Sequence, residues 1–351
     1  MSSHANQPEP QRNLHTPKRV LVTGGAGFIG SHLVDVLLSR GDRVCVIDNF
    51  STGRRGNLPT DHPRLEVVSA PLSEALRTLN SESGFDEVYH LAAAVGVRLV
   101  IDDPIGSIET NVSQTAALLA FVKHQCPNAP VLIASSSEVY GKSERVPFRE
   151  DDDVTYGPTT KARWSYAASK AIDEYLALAY AQQHALRTIV ARFFNTVGPR
   201  QVGQYGMVLP RFVESAIKGE PLLVHGDGKQ TRCFCDVRDV AVLLPRMMSN
   251  PACAGRVFNV GSDRSISIIE LAQTVKRVLS SVSEIEMLPY EDAFTQGFED
   301  LRRREPDLSR LRSVVGFEPT RTLEVTVRDI ASELLSRERV ICKPQAEGRP
   351  C

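Results

Sequence analysis

Thr23-Gly24-Gly25-Ala26-Gly27-Phe28-Ile29-Gly30 (TGGAGFIG) joins two segments of different periodicity. Before it, Arg19 to Thr23 (RVLVT) is a short apolar run, which predicts a buried strand. After it, Phe28, Ile29, Leu33, Val34, Leu37 and Leu38 recur at three- and four-residue steps, which predicts a helix with one apolar face. Gly41-Asp42 ends that helix, and Val44 to Ile47 (VCVI) forms a second strand closed by Asp48. Strand, helix, strand over about 30 residues is a βαβ unit, normally right-handed and parallel. Within it, Gly24, Gly27 and Gly30 follow the spacing G-x-x-G-x-x-G. Missing side chains let the backbone approach a pyrophosphate, and the helix N-terminus offers free N–H groups and a partial positive charge. Gly24, Gly27, Phe28, Ile29 and Gly30 are therefore read as binding a dinucleotide. Asp48, at the end of the second strand, suits the two ribose hydroxyls of NAD and would repel the 2′-phosphate of NADP. Asn49 and Ser51 are read into the same adenosine pocket, with Arg54 and Arg55 leaving a small opening for NADP.

The alternation continues outward. Val67-Val68, Glu87 to Leu91, Val131 to Ala134 and Thr188 to Arg192 read as strands, and Asn111 to Lys123 and Ser165 to Gln182 as helices. The fold class expected is α/β, a Rossmann-type doubly wound parallel sheet. After Pro199, glycine and proline break the chain into short pieces, which predicts a smaller C-terminal substrate-binding lobe. The expected boundaries are a disordered leader over 1–18, an NAD-binding domain over 19–198, a lobe over 199–338 with returns to the main sheet, and a loose tail over 339–351.

Composition narrows the function classes. A net charge of −1 gives no bulk electrostatic reason to bind nucleic acid or an anionic membrane. No apolar run is long enough for a membrane span, and the first residues lack the apolar stretch of a signal peptide. The seven cysteines are scattered, and Cys233-x-Cys235 is too close for the common zinc spacings. Free thiols in a reducing cytoplasm and no metal site are the expectation.

Tyr166-Ala167-Ala168-Ser169-Lys170 places a tyrosine and a lysine four residues apart on a predicted helix, hence on one face. A lysine charge there is expected to lower the phenol's pKa from about 10 toward neutrality, making it a base for a sugar hydroxyl.

Here the sequence resembles the extended short-chain dehydrogenase/reductases that act on nucleotide sugars. The resemblance runs over roughly residues 19 to 335 and includes TGGAGFIG, DNFSTG, HLAA (90–93), Asn111, SSSEVYG (135–141), YAASK, RFFNTVGP (192–199), GDGKQTRCF (226–234) and GFEP (316–319). It implies NAD as cofactor, with Leu91, Ala92 and Ala93 beside it and Lys170 also on the nicotinamide ribose. It implies Ser136 as the partner of Tyr166 on the C4 oxygen, Ser137 at the sugar, Asn195 at the diphosphate, and Arg232 and Arg304 facing phosphate, where guanidinium forks suit the geometry. Arg211, in Pro210-Arg211-Phe212, is expected beside the base. Arg98 is either a carboxylate contact or a solvated loop residue. The family usually has an aspartate near adenine, where this chain reads Val67-Val68-Ser69-Ala70-Pro71. Members commonly form homodimers through two long helices, here those near 111–123 and 165–182.

The shared first step would be hydride transfer from C4 of a nucleotide-diphosphate sugar to NAD. A 4,6-dehydratase carries Thr-Asp-Glu before Val-Tyr-Gly, and Ser136-Ser137-Glu138 lacks the acid. UDP-glucuronate decarboxylases have a glutamate and an arginine implicated in catalysis at the positions of Glu138 and Arg232, and resemble KARWSYAASK (161–170) and KQTRCFCDVRD (229–239). The loop Ala92 to Arg98 is similar to that of 4-epimerases. The expectation is a C4 epimerase, with the decarboxylase as the alternative. Ser136, Tyr166 and Lys170 together argue against a protein that only binds the dinucleotide.

Overall fold

The computed structural model describes residues 16–79, 84–93, 103–203, 207–289 and 302–341, the side chains of 338–341 excepted. Most of the expected leader, most of the expected tail, and Arg98 lie outside the described residues.

The chain begins with β1 (Arg19–Thr23), α1 (Phe28–Arg40), β2 (Arg43–Ile47), β3 (Leu65–Val68), α2 (Leu72–Thr78) and β4 (Glu87–His90). It continues with α3 (Pro104–Gln125), β5 (Val131–Ser136), α4 (Ser165–His184), β6 (Thr188–Phe193) and β7 (Thr196–Val197). Then come α5 (Val208–Lys218), β8 (Leu222–His225), β9 (Thr231–Cys233), β10 (Cys235–Asp236), α6 (Val237–Ser249) and β11 (Arg256–Val260). The last are β12 (Ser265–Ser267), α7 (Ile268–Leu279), β13 (Ile285–Leu288), β14 (Arg303–Arg304), α8 (Ser309–Val315) and α9 (Leu323–Ile341).

Seven strands form one sheet in the order β11-β6-β5-β4-β1-β2-β3, every pair parallel. Successive residues of a strand face opposite sides. Val20 and Val22 therefore pack with Leu33 and Leu37 of α1 and Leu243 and Met247 of α6. Leu21 packs the other way, with Leu118 and Val122 of α3 and Ala177 of α4. The result is three layers with both sheet faces covered, which is why the strands read as apolar runs rather than alternating ones. The expected doubly wound sheet is thus what forms.

β1 pairs with β2 on one side and β4 on the other, so the strand order reverses there. Crevices at the carboxyl ends of strands beside such a reversal are where this architecture binds ligands. TGGAGFIG starts at that end of β1.

The 111–123 helix begins earlier than its apolar spacing suggested. Asp103 accepts from the backbone N–H of Gly106 at 2.9 Å, and Pro104 takes the first helical position, where its missing N–H is harmless. After β7, Leu209 and Phe212 of α5, Leu271 and Val275 of α7, and Val327 and Ile330 of α9 enclose a second core with Leu222 and Val224 of β8. β11 leaves this region to join the main sheet beside β6.

Candidate active site

A cleft of about 780 Å³ runs along the carboxyl ends of the strands. One end is built by the glycine turn. Gly24 has φ +71°, and a Cβ there would stand 2.7 Å from the backbone nitrogen of Ala92. A Cβ on Gly30 would overlap the carbonyl oxygen of Gly24. The turn therefore closes only with glycine at these two places. Gly27, Phe28, Ile29, Asn49, Ser51, Leu91, Ala92 and Ala93 line the same end.

Asp48 is buried and lines the cleft, yet both its oxygens are engaged: Oδ2 accepts from Ala26 N at 2.9 Å and Oδ1 from Phe50 N at 2.8 Å. Each carboxylate oxygen has lone-pair room for a further donor, so holding the turn and accepting a ribose hydroxyl are compatible. Asn57, absent from the sequence reading, ties the same turn by donating Nδ2 to Ala26 O at 2.9 Å. Ala70 and Leu72 line the cleft where the resemblance leads one to expect an aspartate. An N–H-rich turn too tight for side chains, with a carboxylate beyond it, fits NAD.

At the other end β5 stops at Ser136, and a single turn of 3₁₀ helix follows over Ser137–Tyr140. Ser136 Oγ accepts from Glu138 N at 3.2 Å, and its hydroxyl is hydrogen-bonded to the Tyr166 phenol from the first turn of α4. Burial pushes that phenol well above its ordinary pKa, the Glu138 carboxylate pushes it further, and Ser136 offsets this in part. The expected lowering by Lys170 is not what the geometry gives. Lys170 is almost fully buried, and its Nζ donates to Asp173 Oδ2 at 2.9 Å. The same helical spacing that puts Lys170 on the Tyr166 face puts a carboxylate one turn further along it.

Glu138 sits between two arginines. Arg163 Nη2 donates to Oε2 at 2.7 Å, and Arg304 Nη1 donates to Oε1. Burial opposes the charged form, but the two guanidiniums overcome it and hold the carboxyl at about 2. Arg304, expected to face phosphate, thus has its Nη1 on Glu138, because β14 runs parallel to β9 and aligns Arg304 with Arg232 beside the 3₁₀ turn. Arg163 carried no assignment in the sequence reading. Its sequence signal was proximity, three residues before Tyr166 in the short 3₁₀ turn Ala162–Trp164.

Arg232, Ser137, Asn195 and Arg211 line the cleft as well. Arg232 Nη1 donates to Thr231 O at 2.7 Å. Asn195 Nδ2 is buried without a hydrogen-bond partner, a donor left over for a ligand acceptor. Behind the site, His90 bonds Thr23 Oγ1 at 2.7 Å and Thr115 Oγ1 at 3.2 Å. Burial and the Lys170 charge hold it down to about 3, so it is neutral at ordinary pH.

Among the described residues there is no cluster of three metal-ligating side chains, and no helix is long and apolar enough to cross a membrane.

Residues 20–261 match the NAD dependent epimerase/dehydratase family, and the chain belongs to that family of enzymes with NAD as cofactor. It is 41% identical over 321 residues to the UDP-N-acetyl-alpha-D-glucosaminuronate decarboxylase of Bacillus cytotoxicus, covering 89% of this chain and 96% of that one. It is 35% identical to UDP-glucuronic acid decarboxylase 1 of Arabidopsis thaliana, covering 94% of this chain and 72% of the relative. Among solved structures, an epimerase from Methanothermobacter thermautotrophicus superposes with a TM-score of 0.83 at 26% identity, covering 94% and 96% of the two chains. The family and cofactor expected from the sequence are borne out. The preference for an epimerase is not, since the curated relatives favour the decarboxylase alternative.

Proposed function

We propose that the protein is an NAD-dependent decarboxylase of a nucleotide-diphosphate uronic acid, acting on UDP-glucuronate or its 2-acetamido counterpart. The observation that carries this reading is the unmet donor of Arg163 in the clamp beside Tyr166. Two buried guanidiniums, those of Arg163 and Arg304, converge on one carboxylate, Glu138. Arg163 also keeps a buried Nε without a hydrogen-bond partner. An unmet guanidinium donor away from water is costly, and a substrate carboxylate would satisfy it as a paired acceptor. A neutral hexose, the substrate a simple 4-epimerase needs, would not. The relatives' activities on uronates support the same choice.

NAD, when bound and held by the glycine turn, Asp48 and Lys170, would supply the hydride acceptor and a positive charge favouring the Tyr166 phenolate. Tyr166, bonded to Ser136, takes the C4 hydroxyl proton. A ketone at C4 makes the C5 carboxylate a β-keto acid, whose C–C bond breaks to release carbon dioxide and leave its electrons on the C4 oxygen. Ser136 and Tyr166 donate hydrogen bonds to that oxygen as charge develops. Ser137, standing where a dehydratase carries its acid, cannot supply the proton that a dehydration requires. Asn195, Arg211 and Arg232 are assigned to the diphosphate and base, and residues 199–338 to the substrate-binding lobe.

The solved epimerase neighbour keeps a second reading open, because C4 oxidation is common to both reactions. The test is incubation with NAD and each uronate. A product lighter by carbon dioxide supports the proposal, and a product of unchanged mass means epimerisation.

We propose further that the protein is a homodimer. Ile105 of α3 and Tyr175 of α4 are both 70% exposed, and Ile108 and Ile172 beside them on these two packed helices are also exposed. Such grouped apolar surface on neighbouring helices suits burial by a second copy.

A further inference from the structure

We propose that Asp173 is a positioning residue for proton transfer: it holds Lys170 by the ammonium and so decides how much of that positive charge reaches the Tyr166 phenol. The inference rests on the reading of Tyr166 as the acid/base group.

Four observations carry it. The Asp173 side chain is fully buried, as is all but 2% of Lys170, so no solvent screens the pair. Their contact, Nζ to Oδ2 at 2.9 Å, is a charge-assisted hydrogen bond along one turn of α4. Asp173 Oδ1 has no hydrogen-bond partner, and Lys170 is the charged donor on this carboxylate, with the neutral Thr115 hydroxyl beside it. The contact also uses one of the three ammonium protons, leaving two for the hydroxyls of a nicotinamide ribose.

The other charged groups facing this centre already have opposite charges of their own, although the Glu138 carboxylate still opposes the phenolate. From α3, Thr115 contributes a neutral hydroxyl beside Asp173. From β4, His90 is neutral and fully buried. From the 3₁₀ turn after β5, Glu138 is countered by Arg163 and Arg304. On α4 itself, Glu174 is bonded by Arg192 Nε at 2.8 Å and Nη2 at 2.6 Å, and by Ser135 Oγ at 2.5 Å. From β5, Ser136 is a hydroxyl. The Lys170–Asp173 pair is therefore the adjustable charge near the phenol. With Asp173 ionised the pair is nearly neutral seen from Tyr166. Without the carboxylate, a buried ammonium one turn away stabilises phenolate.

The test is an ultraviolet difference titration of the phenolate band in the full-length, NAD-saturated protein, with Tyr166→Phe as the blank. It needs no turnover, so it separates this inference from the assignment of the reaction. Asp173→Asn is expected to lower the Tyr166 midpoint by about one pH unit, with NAD affinity within about threefold of the parent protein. In a Lys170→Met background, where the buried carboxyl has no cation and stays protonated, the same substitution is expected to leave the midpoint in place. An unmoved midpoint in Asp173→Asn, or an equal shift without Lys170, would overturn the proposal. If Asp173→Asn does not fold, Asp173→Ser takes its place, and failure of both to fold or to hold NAD assigns the carboxylate a purely structural role and also overturns it.

Discussion

Tyr166 and Glu138 stand close enough for the carboxylate to oppose the phenolate, and each is useful because of what else touches it. Tyr166 has Ser136 on its oxygen, and without that hydroxyl nothing would align the proton path. Tyr166→Phe is expected to cut turnover by about 10²–10⁴-fold, the usual worth of a positioned acid or base, while NAD still binds. A kcat within tenfold of the parent would remove Tyr166 from the chemistry. For Glu138 the sign follows from its depressed pKa. The folded carboxyl ionises at about 2 against 4.5 for the free group. Its contribution to stability is complete above about 4.5 and disappears as pH falls through about 2. Urea midpoints of Glu138→Gln should lie below those of the parent near neutrality, and the gap should close between those two values. A gap independent of pH would mean that the clamp is held by shape and not by charge. At this scale the sequence disclosed residue types in the site better than their partners. Tyr166, Ser136 and Glu138 were legible from local motifs. The clamp was not, because Arg304 arrives from 166 residues away, and Arg163, although inside KARWSYAASK, carried no role there. The Asp173 contact was open to the same spacing argument that placed Lys170, had the third residue along been weighed with the fourth.

Elements carry the site by their ends. The glycine turn works because β1 and α1 meet at an angle that leaves no volume for a Cβ at Gly30. Gly30→Ala must displace Gly24 or split the turn. We expect a loss of at least ~1–3 kcal/mol of stability, the ordinary cost of overpacking, and NAD binding weakened by more than tenfold. Calorimetry and cofactor titration on one preparation read both, and unchanged NAD affinity would place the pyrophosphate elsewhere. Six of the seven main strands, with α1, α3 and α4, were legible because both faces of the sheet are buried and each strand is an apolar run; β11, α5, α6 and α7 were not read. The short strands β7, β9, β10, β12 and β14 were not, since two or three residues hold no periodicity. Yet β9 and β14 bring Arg232 and Arg304 into register, so the least legible elements supply two of the cations. The start of α3 was missed for a related reason: Pro104 and Gly106 disguise a capped first turn as loop.

At the scale of the whole molecule, the exposed faces of α3 and α4 predict the assembly. Tyr175→Glu combined with Ile105→Glu is expected to turn a dimer into a monomer in light scattering after size exclusion, without loss of helical content. A parent protein that is already monomeric would refute the dimer. The cleft itself joins the sheet ends to the chain beyond β7, and the reaction depends on which anion enters it. The sequence pointed to the family with many independent motifs, but leaned to the reaction that the relatives support less. The loop Ala92 to Arg98 carried that lean, and the arginine clamp around Glu138 was invisible until distant residues came together. The most direct measurement is therefore the product formed from UDP-glucuronate and from its 2-acetamido counterpart with NAD, read by chromatography and mass spectrometry. This account predicts release of carbon dioxide from at least one, sharply reduced in Arg163→Ala. An epimer of unchanged mass, formed as readily from a neutral UDP-hexose, would contradict it.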